Sequence, residues 1–219
     1  MKKIVSLMLA LVMSLTFSVS AFAIPFESEE NMSGTSYIET YGRVTSTGPT
    51  TTGLKASGIM SFEEVSQDLA ETEGISLEEA MSIINPDYQI DPHSTEELRY
   101  RTLTSQIEVN PMYKPSIKFY CVIDGSTSMW GIVSIEHIYY DWEYNNMVKV
   151  FDGDIYVRLR NAYQIFYIIS GHFYNTGTTS IGGGADIKVG EELTINISAQ
   201  HAFDHYDYIS KEVLCSFQQ

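Results

Sequence analysis

Basic side chains, cysteine and long apolar runs are all scarce in this chain of 219 residues. Only 13 lysines and arginines stand against 28 aspartates and glutamates, so the formal net charge is −15. Bulk attraction to phosphate or to anionic lipid requires a positive surface, and this charge therefore excludes nucleic acid as a partner held by general electrostatics. With 15 glycines and 6 prolines, the composition is not that of a collagen-like chain.

The one long apolar run lies near the amino terminus. It follows Lys2 and Lys3, covers residues 4–19 with only small polar interruptions, and is followed by Ala-Phe-Ala at residues 21–23. This pattern predicts a secretory signal peptide over residues 1–23, with the mature chain beginning at Ile24. An uncleaved membrane anchor is the alternative, although the apolar run is short for a bilayer span. We therefore expect a secreted protein, extracellular or cell-wall associated, with no membrane span in the mature chain.

The two cysteines, Cys121 and Cys215, are 94 positions apart in the sequence. In an oxidising compartment they are candidates for one disulfide, which would stabilise the fold by restricting the unfolded chain. Two buried thiols are the alternative, because unpaired cysteines behave as small apolar side chains.

Acidic charge is concentrated in the first part of the mature chain. Residues 24–97 hold 15 acidic and two basic side chains, whereas residues 98–219 hold 13 and nine. Residues 24–58 are rich in Ser, Thr, Gly and Glu without sustained periodicity, which predicts a flexible acidic leader. The charge of residues 98–219 is close to ordinary, so an acidic glycan or protein remains open as a partner of that region.

Residues 59–97 are predicted to form a helical hairpin and a linker. Ser61 with Glu64, and Ser76 with Glu79, have the spacing of capping boxes at helix starts. Gly74 is suited to end the first helix, and Asn85-Pro86 to end the second. Each helix carries an apolar stripe through which the pair can close.

The run Ile75-Ser76-Leu77-Glu78-Glu79-Ala80 followed by Asn85-Pro86 is similar to the paired helices of a LysM peptidoglycan-binding module, over residues 60–86. The Gly-Asp-Thr entry of that family is absent here. The resemblance implies binding to peptidoglycan, and the alternative is a capped hairpin that packs on the following domain.

From residue 98 to residue 219, apolar and polar side chains alternate with a period of two. The predicted strands are residues 102–109, 117–123, 131–140, 147–150, 154–160, 163–170, 187–189, 192–200 and 206–217. The predicted turns are Asp124-Gly125, Asn145-Asn146, Asp152-Gly153, residues 176–184 and Val189-Gly190. Many short strands with no intervening helical pattern predict a mainly β domain, an antiparallel β-sandwich or barrel. Residues 187–197, where a Val-Gly-Glu turn precedes an alternating strand, are similar to immunoglobulin-like bacterial modules, and this resemblance implies a β-sandwich that is immunoglobulin-like or related. The strand at 163–170 is apolar on both faces and should be central.

Several segments of this region are similar to small secreted β-domains of unknown function from Gram-positive bacteria. They are Phe119-Tyr120-Cys121, Trp-Gly-Ile-Val at 130–133, Phe-Asp-Gly-Asp-Ile-Tyr-Val at 151–157, and Gly-His-Phe-Tyr-Asn-Thr-Gly-Thr-Thr at 171–179. The resemblance spans residues 99–217 and implies an extracellular β-domain, and no catalytic residue is carried over with it.

Aromatic side chains mark a candidate binding surface. Twelve of the 15 tyrosines and both tryptophans follow Leu98. In the strand at 154–160, every second side chain faces the core and the ones between face outward. The strand at 117–123 is expected to alternate in the same way. Outward Tyr and Arg are enriched in protein-binding hot spots, and Tyr also stacks on sugars. The candidate ligand-binding residues are Tyr156, Arg158, Arg160, Lys118 and Tyr120; the alternative is that they stabilise a sheet face or pack beneath the helical hairpin.

Metal-ligand and catalytic motifs are incomplete. His201 and His205, with Asp204 and Asp207 nearby, are weak metal-ligand candidates, as are Asp152 and Asp154. No HExxH motif and no full calcium-binding loop accompany them. We therefore predict no metal, no cofactor and no catalytic residue, and we read these side chains as turn residues.

The sequence favours a secreted, non-enzymatic protein whose β-domain binds an extracellular protein or glycan. One alternative is a processed effector, toxin or bacteriocin-like factor with residues 24–97 as its pro-segment. A second is a peptidoglycan-associated protein that uses the LysM-like hairpin, and a third is a secreted hydrolase with an unrecognised site.

Overall fold

In a computed structural model of the protein, the described residues are 50–52, 54–85, 98–126, 129–181 and 187–216. The chain divides into residues 1–43 and 44–219, and every described residue belongs to the second part. The predicted signal peptide, residues 24–49 of the predicted leader and residues 86–97 of the predicted linker lie outside the described residues.

Two short helices precede most of the strands, and the protein is mainly β. The helices are α1 (Phe62–Glu73) and α2 (Leu77–Ile84). The strands are β1 (Thr50–Thr52), β2 (Lys55–Ala56), β3 (Arg99–Gln106), β4 (Ser116–Gly125), β5 (Trp130–Asp141), β6 (Glu143–Tyr144), β7 (Met147–Val148), β8 (Val150–Asn161), β9 (Gln164–Ile181), β10 (Ile187–Lys188) and β11 (Glu192–Ser216).

The strands form two principal sheets. Sheet I has the order β1-β11-β8-β9, with β9 also pairing to β11, and sheet II has the order β10-β5-β4-β3-β2. The pairs are antiparallel except for β1 with β11, which is parallel. β9 has a partner on each side, which confirms that the strand with two apolar faces is central. The β-sandwich prediction is confirmed at the level of a mainly β, sandwich-like fold preceded by a helical hairpin.

One apolar core lies between the inner faces of the two sheets. It takes Phe119 and Cys121 from β4, Ile155 from β8, and Tyr167 from β9, all fully buried. Along β8, buried side chains that face the core alternate with more exposed side chains that face outward, as the strand period of two predicts. At about 25 cal/mol per Å² of apolar surface, burial of this kind is the main stabilising term.

A second core lies between the helical hairpin and the outer face of sheet II. Val65 and Leu69 of α1 and Ala80 of α2 pack there on Tyr100 and Tyr120. The helix boundaries agree with the capping prediction. Around Ser61 both bonds of the capping box are present, the Ser76 hydroxyl accepts from the Glu79 N–H, and Gly74 ends α1 in the left-handed conformation at φ 69°.

Two predicted breaks in the strands are wrong. Residues 176–181 continue β9 instead of forming a loop, because they pair with β11 from Ile197 to Phe203. Asp152-Gly153 is inside β8 and not a turn. Gly153 lies directly opposite Gly171, and this glycine pair lets the two backbones and the ring of Phe151 approach closely.

The strands predicted at 192–200 and 206–217 are one strand, β11. It pairs with β8 up to Ile197 and with β9 from there to Ser216, so it crosses from one neighbour to the other. Within its pairing to β9 the register shifts between Gln200 and Phe203 and again between His205 and Asp207, and His201 (53°) and Asp204 (64°) have positive φ in this stretch.

Residues 50–52 and 54–56, predicted as leader, form a strap along the sandwich. β1 pairs with β11 of sheet I, and β2 pairs with β3 of sheet II. The strap therefore joins the edges of the two sheets. Among the described residues, no helix is long and apolar enough to cross a membrane.

Both cysteines point into the core, as their strand phases predict, but no disulfide joins them. Burial raises the pKa of the Cys121 thiol. The Cys215 thiol lies 3.3 Å from the hydroxyl of Ser105, which in turn lies 2.9 Å from the Tyr167 hydroxyl. In the structure both side chains are thiols, and Cys215 belongs to a buried polar chain, while the disulfide itself stays a prediction.

Candidate functional site

The structure separates the five candidate ligand-binding residues into two groups. Tyr156, Arg158 and Arg160 lie on the outer face of sheet I, where Arg158 and Arg160 are exposed and Tyr156 is half-buried. The Tyr156 hydroxyl donates to Glu192 at 2.5 Å, and an Arg158 nitrogen lies 4.0 Å from the same carboxylate. Partial burial, followed by the Glu192 contact, raises the pKa of Tyr156.

Lys118 and Tyr120 are not on an open surface. They face the outer side of sheet II as predicted, but the hairpin covers that side, and Tyr120 is fully buried. The Lys118 ammonium contacts Asp68 at 3.3 Å and donates to the Thr72 hydroxyl at 3.0 Å. The alternative of packing beneath the helical hairpin therefore applies to both residues, which attach α1 to the sheet.

A groove at one end of the strands brings several exposed apolar side chains together. The β4–β5, β8–β9 and β10–β11 turns meet at this end. The groove has a volume of about 710 Å³, and we call it the turn-end groove. The side chains that give it its character are Met129, Val133, Tyr163, Val189, Lys188 and Asp124.

Close packing of β5 on the β8–β9 turn forms the base of the groove. The Ile132 N–H donates to the Ala162 carbonyl at 2.8 Å. A Cβ at Gly131 would lie 2.9 Å from the Ala162 methyl, so only glycine allows this approach. At the rim, Gly125 has φ 105°, and a Cβ there would meet the Met129 carbonyl oxygen at 2.1 Å. Glycines at two positions thus fix the shape of the groove.

Four apolar side chains of the groove face solvent. The exposed fractions are 68% for Met129, 46% for Val133, 46% for Tyr163 and 48% for Val189. Contiguous exposed apolar surface of this kind marks interaction sites, whereas single exposed apolar residues do not. Lys188 and Asp124 add one charge of each sign.

The sequence argument missed this groove, although a signal was present. Turn positions normally carry polar residues, and here Met129, Tyr163 and Val189 lie in or beside three different turns. Their convergence depends on the pairing of distant strands, which alternation within one segment does not reveal.

The predicted weak metal ligands are mostly used in ordinary hydrogen bonds. Asp152 accepts from the Ala199 N–H at 3.1 Å, and Asp154 accepts from the Asn196 amide at 2.9 Å. His201 is exposed at a backbone irregularity of β11, and His205 contacts a different histidine, His172 of β9. Within the described residues no cluster of three or more metal-ligating side chains occurs.

The hairpin carries a second groove of different character. It has a volume of about 600 Å³ and is lined by residues of α1 and α2. Glu63, Glu64, Asp68 and Glu71 make it acidic, but Glu64 caps the helix and Asp68 binds Lys118. Glu71 also accepts from the Gln67 amide at 2.9 Å, so three of the four carboxylates already have partners.

No protein-family model, curated protein or solved structure matches the chain. The resemblances to Gram-positive secreted β-domains and to a LysM helix pair stay predictions.

Proposed function

We propose that the chain is a secreted, non-enzymatic binding protein and that its ligand is a protein segment that lies in the turn-end groove. The observation that carries the proposal is the convergence of four exposed apolar side chains, from three turns and β5, on one groove. The groove is within the size range of ligand sites and of anchor pockets at protein interfaces.

The chemistry of the groove favours protein over glycan. Met129, Val133 and Val189 are aliphatic and offer dispersion contacts and water release to apolar side chains. Sugar recognition depends on flat aromatic platforms and hydrogen-bonding groups, and Tyr163 is the one exposed aromatic ring among the groove's described residues. Lys188 and Asp124 can orient a ligand backbone or a charged side chain.

The outer face of sheet I is the second candidate surface. Tyr156 and Arg158 are coupled there through Glu192, and Tyr156 also contacts the ring of Phe166 at 6.2 Å between centroids. This surface has the Tyr and Arg composition of protein-binding hot spots and is more polar than the groove.

Binding to displayed peptides and to glycans distinguishes these surfaces. The intact mature protein is panned against a random peptide library and applied to a glycan array. We expect enriched peptides with adjacent apolar side chains, and an affinity at least about fivefold weaker for Met129→Ser or Val189→Ser, since truncating an interface anchor costs more than about 1 kcal/mol.

Met112→Ser is the matched control, because Met112 is also exposed, at 71%, and lies in the β3–β4 turn at the opposite end of β4. Equal binding by both groove variants, at unchanged melting temperature, would overturn the groove assignment. Glycan binding that is lost in Tyr156→Ala with Arg158→Ala would instead assign function to sheet I.

The pro-segment alternative is less well supported by the packing. Removal of residues 24–97 would uncover Tyr100, Tyr120 and Val122 on sheet II and would take away the strap. Amino-terminal sequencing of active protein from culture medium tests it, and a start near Leu98 would revive this alternative.

The peptidoglycan alternative stays a proposal of its own. It predicts that the intact mature protein sediments with purified peptidoglycan through the LysM-like hairpin. Sedimentation that survives Met129→Ser and is lost in a hairpin surface variant such as Gln67→Ala with Glu71→Ala would favour it, since both of these side chains are exposed on α1.

A further inference from the structure

His172 and His205 face each other on the exposed side of β9 and β11. The Nδ1 atom of His172 lies 3.0 Å from the Nε2 atom of His205, and both side chains are exposed. The residues are 33 positions apart in the sequence, and the antiparallel pairing of the two strands brings them together.

Aromatic neighbours hold the two imidazoles in place. His172 packs on the ring of Tyr208 with centroids 4.9 Å apart, and His205 meets Tyr174 edge to face at 5.5 Å. In the strand register, Tyr208 is opposite His172 and Tyr174 is opposite His205. Each imidazole is thus supported by the residue across from it, which limits the rotation of both rings.

The separation of the two nitrogens fits two ligands of one metal ion. A metal at about 2.0–2.1 Å from each nitrogen would subtend an angle of about 95° when the nitrogens are 3.0 Å apart. That angle matches adjacent corners of a tetragonal site, the geometry that Cu²⁺ and Ni²⁺ adopt with nitrogen and oxygen ligands.

We propose that His172 and His205 form a two-histidine site for a tetragonal divalent transition metal, with Cu²⁺ preferred over Ni²⁺. His172 Nδ1 and His205 Nε2 supply two adjacent ligands, and water supplies the others. Cu²⁺ is preferred because imidazole sites bind it more tightly than the other divalent first-row metals.

Binding requires only local adjustment. In the structure one imidazole nitrogen donates to the other, so one ring changes tautomer and both turn slightly to direct their lone pairs at the ion. The nearby carboxylates already accept hydrogen bonds: Asp204 accepts from Asn175 at 2.9 Å, Asp207 accepts from Asn110 at 2.7 Å, and Asp152, opposite His172 on β8, accepts from the Ala199 N–H at 3.1 Å. The two imidazoles are therefore the ligands that this surface offers.

Such a site would join β9 to β11 beside the irregularity in their register. The shift lies between His205 and Asp207, where the ladder of backbone bonds is interrupted. A metal that binds the folded state and not the unfolded chain raises stability by mass action. The proposal is independent of the ligand assigned to the turn-end groove.

The test uses the intact mature protein without an affinity tag, titrated with Cu²⁺ alone and followed by electron paramagnetic resonance and calorimetry. We expect one tetragonal site with two nitrogen ligands and a higher melting temperature with Cu²⁺. His172→Gln and His205→Gln should each weaken binding at least about tenfold, since each removes one of the two nitrogen ligands, and the double variant should lose the site altogether.

His201→Gln is the matched control, because His201 is exposed on the same strand four residues from His205. All variants change exposed side chains, and circular dichroism without metal verifies that they fold. Unchanged Cu²⁺ affinity in the two site variants, or equal loss in His201→Gln, would overturn the site. Tighter binding of Zn²⁺ than of Cu²⁺ would overturn the tetragonal geometry.

Discussion

At the scale of the residue, Gly171 shows how a single missing side chain sets the spacing of a sheet. It faces Gly153 across β8 and β9, and a Cβ at Gly171 would lie 2.4 Å from the Asp152 carbonyl oxygen and 2.6 Å from the ring of Phe151. Backbone atoms cannot move aside to relieve such a contact, as the end of a flexible side chain can. The strand spacing and the position of the Phe151 ring therefore depend on this glycine.

We expect Gly171→Ala to lower the free energy of unfolding by about 3 kcal/mol, the upper part of the range for overpacked sites. Urea denaturation of the two proteins measures the difference. Gly58→Ala is the control, because a Cβ at Gly58 meets no atom within 4 Å, and its effect should stay within about 0.5 kcal/mol. Equal stability of Gly171→Ala and the parent protein would contradict the close approach.

At the scale of the element, the helical hairpin is attached to sheet II by both apolar and polar contacts. Leu69 is fully buried at the centre of the apolar contact. Beside it, His137 of β5 lies 2.7 Å from a Glu73 oxygen, and Lys118 of β4 reaches Asp68. Two helices that are short by themselves thus become a fixed layer over the sheet.

Leu69→Ala should lower the free energy of unfolding by about 2–5 kcal/mol, since it leaves a cavity between α1 and the sheet. Hydrogen exchange should also become faster in α1 and in β3, where Tyr100 lies beneath the hairpin. Gln67→Ala changes an exposed residue of the same helix and serves as the reference. Exchange in β3 that is identical in all three proteins would show that the hairpin does not protect the sheet.

The elements differ in how far the sequence predicts them. Helix starts at Ser61 and Ser76 are predictable because a capping box joins residues only three apart. Inward and outward faces of β8 are predictable because the strand period is two. What covers an outward face is not, and so Tyr120 was expected at the surface although α1 lies over it.

The candidate sites depend on longer-range pairing. The turn-end groove needs three turns to meet, and the two-histidine site needs β9 and β11 in register. The sequence pointed instead to His201 as the partner of His205, since those two are near neighbours in the chain. The spacing of residues within one segment gives no information on how β9, of 18 residues, pairs with β11, of 25 residues.

At the scale of the whole molecule, buried tyrosines link folding to pH. Burial raises the pKa of Tyr113, Tyr120, Tyr140 and Tyr167 above the ordinary value of about 10. Above that pH the unfolded chain releases phenolic protons that the folded chain keeps. Stability from these groups is therefore present below about pH 10 and is lost as the pH rises further.

We expect the free energy of unfolding to fall above about pH 10 by up to about 1.4 kcal/mol per pH unit for each buried tyrosine. Phenolate absorbance from these residues should appear together with loss of circular dichroism. Tyr140→Phe should make the fall less steep. Full phenolate absorbance in a chain that keeps its native circular dichroism would contradict the argument.

The strap has a mechanical consequence. β1 runs parallel to β11, with Thr50 opposite Val213 and Thr52 opposite Cys215. A force applied through the chain before Thr50 and after Ser216 pulls these strands in opposite directions along their own axes. The backbone hydrogen bonds between them are then loaded in shear and share the load, whereas a hairpin pulled from its open end loses its bonds one at a time. A protein held at one end and loaded at the other would resist extension through this short parallel pair before the core of the sandwich bears any tension.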